Sequence, residues 1–339
     1  LITAHYFVQT FDPTENTLRK HEVIDFLKQQ NLDFASGMHF TVAIYREEEL
    51  IATGSLDRNV LKCFAVSPKY RHRGLTNELV TILTKEAAQT NQSHLFIYTK
   101  PKNRHLFESL GYHAVEEADD VILLENKTNG IANFANQLSR NYISGKSIAG
   151  MVMNCNPFTK GHQYLIQKAA SENDVVHLFI VQENRSLFQT EERIEMVRRG
   201  IASLDNVHLH CSGDYIISNA TFPSYFIKDK ETVIKAHAQL DLKIFAKQIA
   251  PALKITKRYV GEEPFSRKTA IYNQFMHQIL PGFGMEVKEI PRKAENGTAI
   301  SASHVRELLM NNEMEAVRSL VPTTTFDYLC QWKKNRRER

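Results

Sequence analysis

From Ile148 onward, short apolar runs alternate with longer amphipathic stretches, and that alternation restricts the fold more than any other feature of the chain. Ile148–Met153, Val175–Val181, Val207–His210, Thr256–Val260 and Met285–Ile290 read as strands. His162–Ala170, Glu192–Leu204, Asp241–Ile249 and Lys268–Leu280 read as the helices between them, and Ile194, Val197 and Ile201 line one stripe of the second. Strands separated by helices pair in parallel, with the crossovers covering both faces of the sheet. Ligands of such sheets sit at the C-terminal strand ends, near the switch in strand order.

The first part of the chain follows another pattern. Phe40–Tyr45 and Leu50–Leu56 flank the polar turn Glu47–Glu49, a hairpin signal, and Lys62–Val66 adds a short strand. After Arg71–Gly74 comes a helix with Leu75, Leu79, Leu83 and Ala87 on one face. His94–Tyr98 reads as a strand and Asn103–Leu110 as a short helix stopped by Gly111; Tyr112–Val115 and Val121–Leu124 finish the sheet. The polar stretches Asn126–Gly130 and Ser139–Lys146 bracket a short helix with Ile131, Phe134 and Leu138. We therefore expect an α+β domain over residues 1–130, a connecting segment over 131–146, a parallel α/β domain over 147–332 and a basic tail over 333–339. A length of 339 residues suits two domains of roughly 100–200 residues each.

Composition narrows the function. The chain is 42% hydrophobic and 24% charged, which suits a folded domain and not a fibrous or disordered one. No apolar run approaches the ~18 residues of a membrane span, and the N-terminus lacks a signal-peptide layout. The chain opens on Leu1, which leaves room for a start further upstream. The net charge of +4 equals that of the tail Lys333–Arg339, so the rest is balanced and no nucleic-acid partner is expected. Cys63, Cys155, Cys211 and Cys330 form no CxxC pair, which suits a reducing, cytoplasmic setting. His208, His210 and Cys211 read as strand residues without a carboxylate at metal-ligand spacing, and Trp332 as a terminal docking residue.

Two segments carry the chemistry. In residues 151–166 an apolar strand runs into a Pro-bearing loop, and a helix begins at Gly161-His162. Free N–H groups at a helix start, with the dipole behind them, bind anions. Thr159 and His162, three apart, share a face; a His there can give a charge-assisted hydrogen bond to a phosphoryl oxygen, and Lys160 adds positive charge. The second segment is Ile300-Ser-Ala-Ser-His-Val-Arg306, opening a helix over Ser303–Met310. An N-cap explains either Ser301 or Ser303, but not their pairing with Arg306; two hydroxyls, free N–H groups and a guanidinium suit a polyphosphate.

These strings resemble the (H/T)xGH and ISxSxxR signatures of the nucleotidyltransferase superfamily, which implies a Rossmann-like domain. The resemblance extends to the citrate lyase ligase family through Gly150–Ile166, Tyr215–Lys228, Leu240–Phe245, Ile249–Leu253, Arg258–Phe265, Tyr272-Asn273, Ile300–Leu309 and Val321-Pro322. It implies an AMP-forming acid–thiol ligase. Acetate and ATP, with Mg²⁺, would acetylate the prosthetic-group thiol of the citrate lyase acyl carrier subunit through an acetyl-adenylate, activating the lyase and releasing AMP and diphosphate. By that resemblance His162, Thr159 and Lys160 are catalytic. Met153, Asn154, Asn156, Pro157, Phe158, Gly161, Gly261, Glu262, Ser301, Ser303 and Arg306 bind ATP, and Lys228 contacts acetate or phosphate. For Gly261–Glu263 a plain turn, for Lys228 a surface position and for Arg193 a structural ion pair stay open as alternatives. Asn184 stands where the family has an acidic residue, Lys160 where Asn is frequent and Cys155 where Ala is frequent.

Residues 64–79 resemble the acyl-CoA loop of the GNAT acetyltransferases, (Q/R)xxGxG/A, met by Arg71 and Gly74 but with Thr76 at the last position. The resemblance implies a GNAT-like first domain and an acyl-CoA-like group held by Val66, Arg71, Arg73, Gly74, Thr76, Asn103 and Tyr112. No residue stands out as a general base, so a binding role for the carrier's arm is expected. Two rival readings fit the same sequence: a phosphopantetheine-type adenylyltransferase, and an N-acetyltransferase with a degenerate nucleotide module.

Overall fold

The protein is seen here in a computed structural model that describes residues 6–182, 186–217, 222–263, 266–292, 294–295 and 298–337. Contacts divide it into two units, Leu1–Ile131 with Pro223–Ala236, and Ala132–Phe222 with His237–Arg339.

The first unit comprises β1 (Tyr6–Phe11), α1 (Thr17–Gln29), β2 (Phe40–Arg46), β3 (Glu49–Asp57), β4 (Val60–Val66), α2 (Leu75–Gln89), β5 (Phe96–Thr99), α3 (Arg104–Glu108), β6 (His113–Glu117) and β7 (Ile122–Glu125). The sheet order is β1-β2-β3-β4-β5-β7-β6, antiparallel except for β4 with β5. α2 turns Leu75, Leu79, Leu83 and Ala87 into a core shared with Ile51, Leu61, Ile97 and Leu124. Gly74 caps α2 at φ +78, a left-handed conformation that costs other residues about 1–2 kcal/mol. β1 and α1 precede the first strand expected from the sequence. α1 buries only Val23, Phe26 and Leu27 among charged neighbours, so its periodicity is weak.

A strap from the second half of the chain completes this unit. The Asp33 N–H donates to the Tyr225 carbonyl at 2.8 Å, and Lys228 and Lys235 pair with Asp33 and Asp119. Tyr225 and Phe226 are buried. The sequence pattern assigns these residues to the parallel domain; tertiary contact assigns them to the first unit.

α4 (Gly130–Ser139) links the halves, and its Phe134 packs on Tyr215 at 5.2 Å. Then come β8 (Ile148–Met153), α5 (Lys160–Glu172), β9 (Val175–Ile180), α6 (Thr190–Gly200), β10 (Val207–Cys211) and α7 (Lys230–Ile244). α7 starts well before the expected Asp241 and continues through a π-helical turn (Phe245–Ile249) into α8 (Ala250–Ala252). β11 (Lys257–Gly261), α9 (Arg267–Ile279), β12 (Glu286–Ile290), β13 (Ala294–Glu295), β14 (Thr298–Ala299), α10 (Ala302–Met310), α11 (Met314–Leu320) and α12 (Thr323–Arg337) follow. The sheet runs β10-β9-β8-β11-β12, parallel at every pairing. Its order reverses between β8 and β11, the switch point of such a fold. On one face Phe158, Ile166, Leu178, Phe188, Val197 and Leu309 form the core, and Trp332 packs on Phe188 at 4.8 Å. Among the described residues no helix is long and apolar enough to cross a membrane.

His177 and His210 bond ring to ring at 2.9 Å inside the sheet. Burial, and then their histidine neighbours, push both pKa values down to about 4 from 6.5. Between those values the unfolded chain binds protons that the folded chain refuses, so stability is lost as pH falls from 6.5 toward 4. The slope is at most about 1.4 kcal/mol per pH unit for each histidine. Melting midpoints should decline over this window, and less steeply in a His177→Leu, His210→Leu variant; an equal slope in both proteins would exclude the pair as its source.

Candidate active site

Beyond Met153 the chain passes Asn154, a buried Cys155 at φ +52, and a cis Asn156–Pro157 bond before the buried Phe158. Thr159 is the N-cap of α5. Its hydroxyl accepts from the His162 N–H at 3.3 Å, and its own N–H donates to His162 Nδ1 at 3.1 Å. This reciprocal box meets two donors that a helix start leaves free. It also sets the chemistry of the ring: with Nδ1 accepting, the neutral imidazole carries its hydrogen on Nε2. Burial first, and the Arg292 guanidinium second, push the His162 pKa down to about 4. Near pH 7 the ring is a neutral donor, in place of the charged one the motif alone suggests. The Phe158 ring lies nearly parallel to it, with centroids 6.1 Å apart.

Two arginines hold the surrounding loops. Arg306 donates from Nη1 to the Asn156 carbonyl at 2.6 Å and from Nη2 to the Ser303 hydroxyl at 2.8 Å, tying one motif to the other. Arg193, wholly buried, donates from Nη1 to the carbonyl and side-chain oxygens of Asn154 at 2.8 and 2.6 Å and to the Val181 carbonyl at 2.9 Å. It thereby fixes the chain just past β8 and β9, a wider role than the first-turn ion pair expected for it.

The loops border a cavity of about 520 Å³, a size typical of small-molecule sites at ~300–1,000 Å³. The ends of β8 and β11 supply Val152, Met153, Asn154, Val260 and Gly261. The starts of α5 and α10 supply Thr159, Gly161, His162, Ser301 and Ser303. Ser266 and Thr269 bring a third helix start, that of α9, where the Ser266 hydroxyl accepts from the Thr269 N–H at 3.3 Å. Three helix N-termini on one cavity favour an anion. Glu263 and Arg292 line it as an ion pair, and Arg292 also donates to the Glu262 carbonyl at 2.8 Å.

Of the residues singled out in the sequence, Met153, Asn154, Thr159, Gly161, His162, Gly261, Ser301 and Ser303 line this cavity. Asn156, Pro157 and Phe158 are buried and are not among its lining residues, and Arg306 acts on it through Asn156 and Ser303. Lys160 reaches elsewhere, its Nζ donating to the Ser319 carbonyl at 2.5 Å, where the end of α11 attracts a cation. The Glu262 residue is exposed, and its neighbour Glu263 takes the cavity position. Lys228 pairs with Asp33 in the first unit. Asn184 lies outside the described residues. Ser266, Thr269 and Arg292 were not singled out. The N-cap spacing Ser266-Arg-Lys-Thr269 could have pointed to α9, whereas nothing in the pattern marks Arg292.

In the first unit Val66 ends β4, Arg71, Arg73 and Gly74 lead into α2, and Thr76 lies in its first turn; Asn103 follows β5 and donates to the Thr99 hydroxyl at 2.8 Å. All sit at or past the C-terminal ends of β4 and β5. Tyr112 is a buried core residue beside Phe107. Among the described residues no three His, Cys, Asp or Glu converge, and Glu263 is already paired with Arg292. This donor set does not fit a magnesium ion held by the protein itself.

Residues 148–329 match the citrate lyase ligase C-terminal domain, and residues 9–121 match the GNAT acetyltransferase domain. A citrate (pro-3S)-lyase ligase from Klebsiella pneumoniae is 39% identical over 318 residues, covering 92% of this chain and 93% of the relative. The Escherichia coli K12 protein of that name is 40% identical over 314 residues, covering 91% and 89%. The chain belongs to the citrate lyase ligase family. A shorter match, 30% identical over 80 residues, links it to phosphopantetheine adenylyltransferase from Clostridium botulinum, covering 23% of this chain and 44% of that one. This ligase-family member thus carries a GNAT-like α+β domain ahead of a parallel-sheet citrate lyase ligase domain.

In this ligase, Phe158 leaves no room beside α6. A Cβ on Gly200 would lie 2.2 Å from its Cε1 and 2.8 Å from its Cδ1. Gly200→Ala should therefore destabilise the fold by about 1–3 kcal/mol. It should also lower turnover as the ring presses on His162; native stability and turnover together would show that Phe158 does not support the site.

Proposed function

We propose that this enzyme activates acetate with ATP and passes the acetyl group to the prosthetic-group thiol of the citrate lyase acyl carrier subunit, which switches the lyase on. The observation that carries this reading is His162, a neutral Nε2 donor fixed by Thr159 at a cavity bordered by three helix starts, in a chain of this family. The α-phosphate of ATP lies against His162 Nε2 and Thr159, and the β- and γ-phosphates against Ser301, Ser303 and the first turn of α10. An acetate oxygen attacks the α-phosphorus in line; the bond to the bridging oxygen breaks, and diphosphate leaves with that electron pair. Positioning and charge stabilisation supply most of the acceleration. The carrier thiolate then attacks the acetyl carbonyl, and AMP leaves. Mg²⁺ would enter with the nucleotide, not on a site of this chain, and would lower the phosphate charge. The setting is the cytoplasm.

The first unit holds the carrier's arm at Arg71–Gly74 rather than doing chemistry of its own. Arg71→Ala should raise KM for the carrier several-fold and leave acetate-dependent ATP–diphosphate exchange unchanged; equal carrier KM in the two proteins would sink this role.

Exchange between ATP and labelled diphosphate should require acetate, and the carrier should gain the mass of one acetyl group. His162→Ala should slow exchange by about 10²–10³-fold, the loss usual for one preorganised donor. Exchange that proceeds equally without acetate would instead favour a simple adenylyltransferase, as in the shorter match.

A further inference from the structure

One strand step below the cavity, β11 buries a charge, two of whose donor nitrogens have no partner among the described residues. Arg258 is 3% exposed, and its Nε and Nη1 are enclosed without a hydrogen-bond partner among the described residues. Buried polar groups are almost always paired, and an unpaired buried cation is among the least favourable arrangements in a protein interior. The nearby carboxylate, Asp241, has both oxygens occupied, Oδ1 by the Ile217 N–H at 2.8 Å and Oδ2 by the Tyr272 hydroxyl at 2.5 Å. It acts on Arg258 through space only.

The surroundings are shaped to keep the guanidinium there. It lies over the Phe245 ring at 4.2 Å. Gly150 is the register partner of Arg258 on β8, and a Cβ on it would meet Phe245 at 3.1 Å, so the glycine leaves the ring its place. Phe245 opens the π-helical turn, a geometry that recurs at functional sites.

Two periodicities connect this charge to the cavity. Arg258 and Val260 are two apart on β11 and share a face, and Val260 lines the cavity. Tyr272 follows Thr269 by three on α9, and Thr269 lines the cavity as well. Two strand residues span about 7 Å, within reach of an arginine side chain.

We propose that Arg258 binds the carboxylate of the acid substrate, a short-chain monocarboxylate, and that this subsite opens into the floor of the nucleotide cavity. The planar guanidinium matches a carboxylate, and the Phe245 ring offers an apolar surface to a short alkyl group. A bulky polyphosphate does not suit a position so enclosed. The inference rests on the ligase reading above. One carboxylate oxygen stays on Arg258 while the other turns toward the α-phosphorus. Its lone pair forms the new O–P bond, the bond to the departing diphosphate breaks, and Arg258 keeps its proton throughout.

Acetate is the probe, with exchange measured on the full-length chain. Arg258→Met should raise KM for acetate about tenfold or more and leave KM for ATP within about twofold, with Arg258→Lys falling between. Should Arg258→Met fail to fold, Tyr272→Phe decides the matter. That change frees Asp241 Oδ2 to compete for Arg258, and it should raise KM for acetate several-fold without moving KM for ATP. In a folded variant, an unaltered KM for acetate, or an equal rise in both constants, overturns the proposal. Acetate-dependent exchange in the unmodified enzyme with an unmoved acetate KM in the variant refutes Arg258 alone. Exchange without any acid in the unmodified enzyme refutes the ligase reading and this inference with it.

Discussion

The active cavity depends on Arg306, whose two bonds reach a carbonyl 150 positions earlier in the chain and a hydroxyl one helical turn away. Each motif alone makes only a helix start. What makes them one site is a fixed distance between Asn156 and Ser303, and a half-buried guanidinium with short bonds to both supplies it. Closing so long a loop costs little more than closing a shorter one, because the entropy grows only with the logarithm of length. Arg193 does the corresponding work on the sheet side by holding Asn154 and Val181. Neither arginine is among the residues lining the cavity, yet both determine where its walls stand.

A neutral histidine makes physical sense among these charges. Three helix starts and Arg292 already make the cavity electropositive, and Glu263 offsets Arg292 in part. A further cation there would be repelled by Arg292 and penalised by desolvation, and both effects act on His162 in the same direction. What the site gains from the imidazole is direction. The Thr159 N–H selects the tautomer before any ligand arrives, so little reorganisation is needed when charge develops on a phosphoryl oxygen.

Much of this was legible in the sequence because strand and helix periods reveal themselves locally. The five parallel strands were all found, within a residue or so at each end, and the two motifs fell where strand ends meet helix starts. Missed features have nonlocal causes. Lys160 and Lys228 look like phosphate ligands by position, but each finds a partner that only the folded chain presents, the Ser319 carbonyl and Asp33. Arg292 stands at the end of β12 with no periodic signal, and its place in the cavity follows from strand order. α1 escaped notice because its apolar face is only a few residues wide.

Pro223–Ala236 shows why family boundaries and folding units need not agree. The ligase-family match runs from 148 to 329 without interruption, yet these residues pack in the unit that matches the acetyltransferase fold. The strap buries Tyr225 and Phe226 there and neutralises Asp33 and Asp119 with lysines. Exposed pairs of that kind contribute little by themselves; the two aromatic rings carry most of the attachment, since each removes a large apolar area from water. The first unit therefore depends on residues translated long after its own last strand. That dependence couples the two halves in folding even where their chemistry is separate.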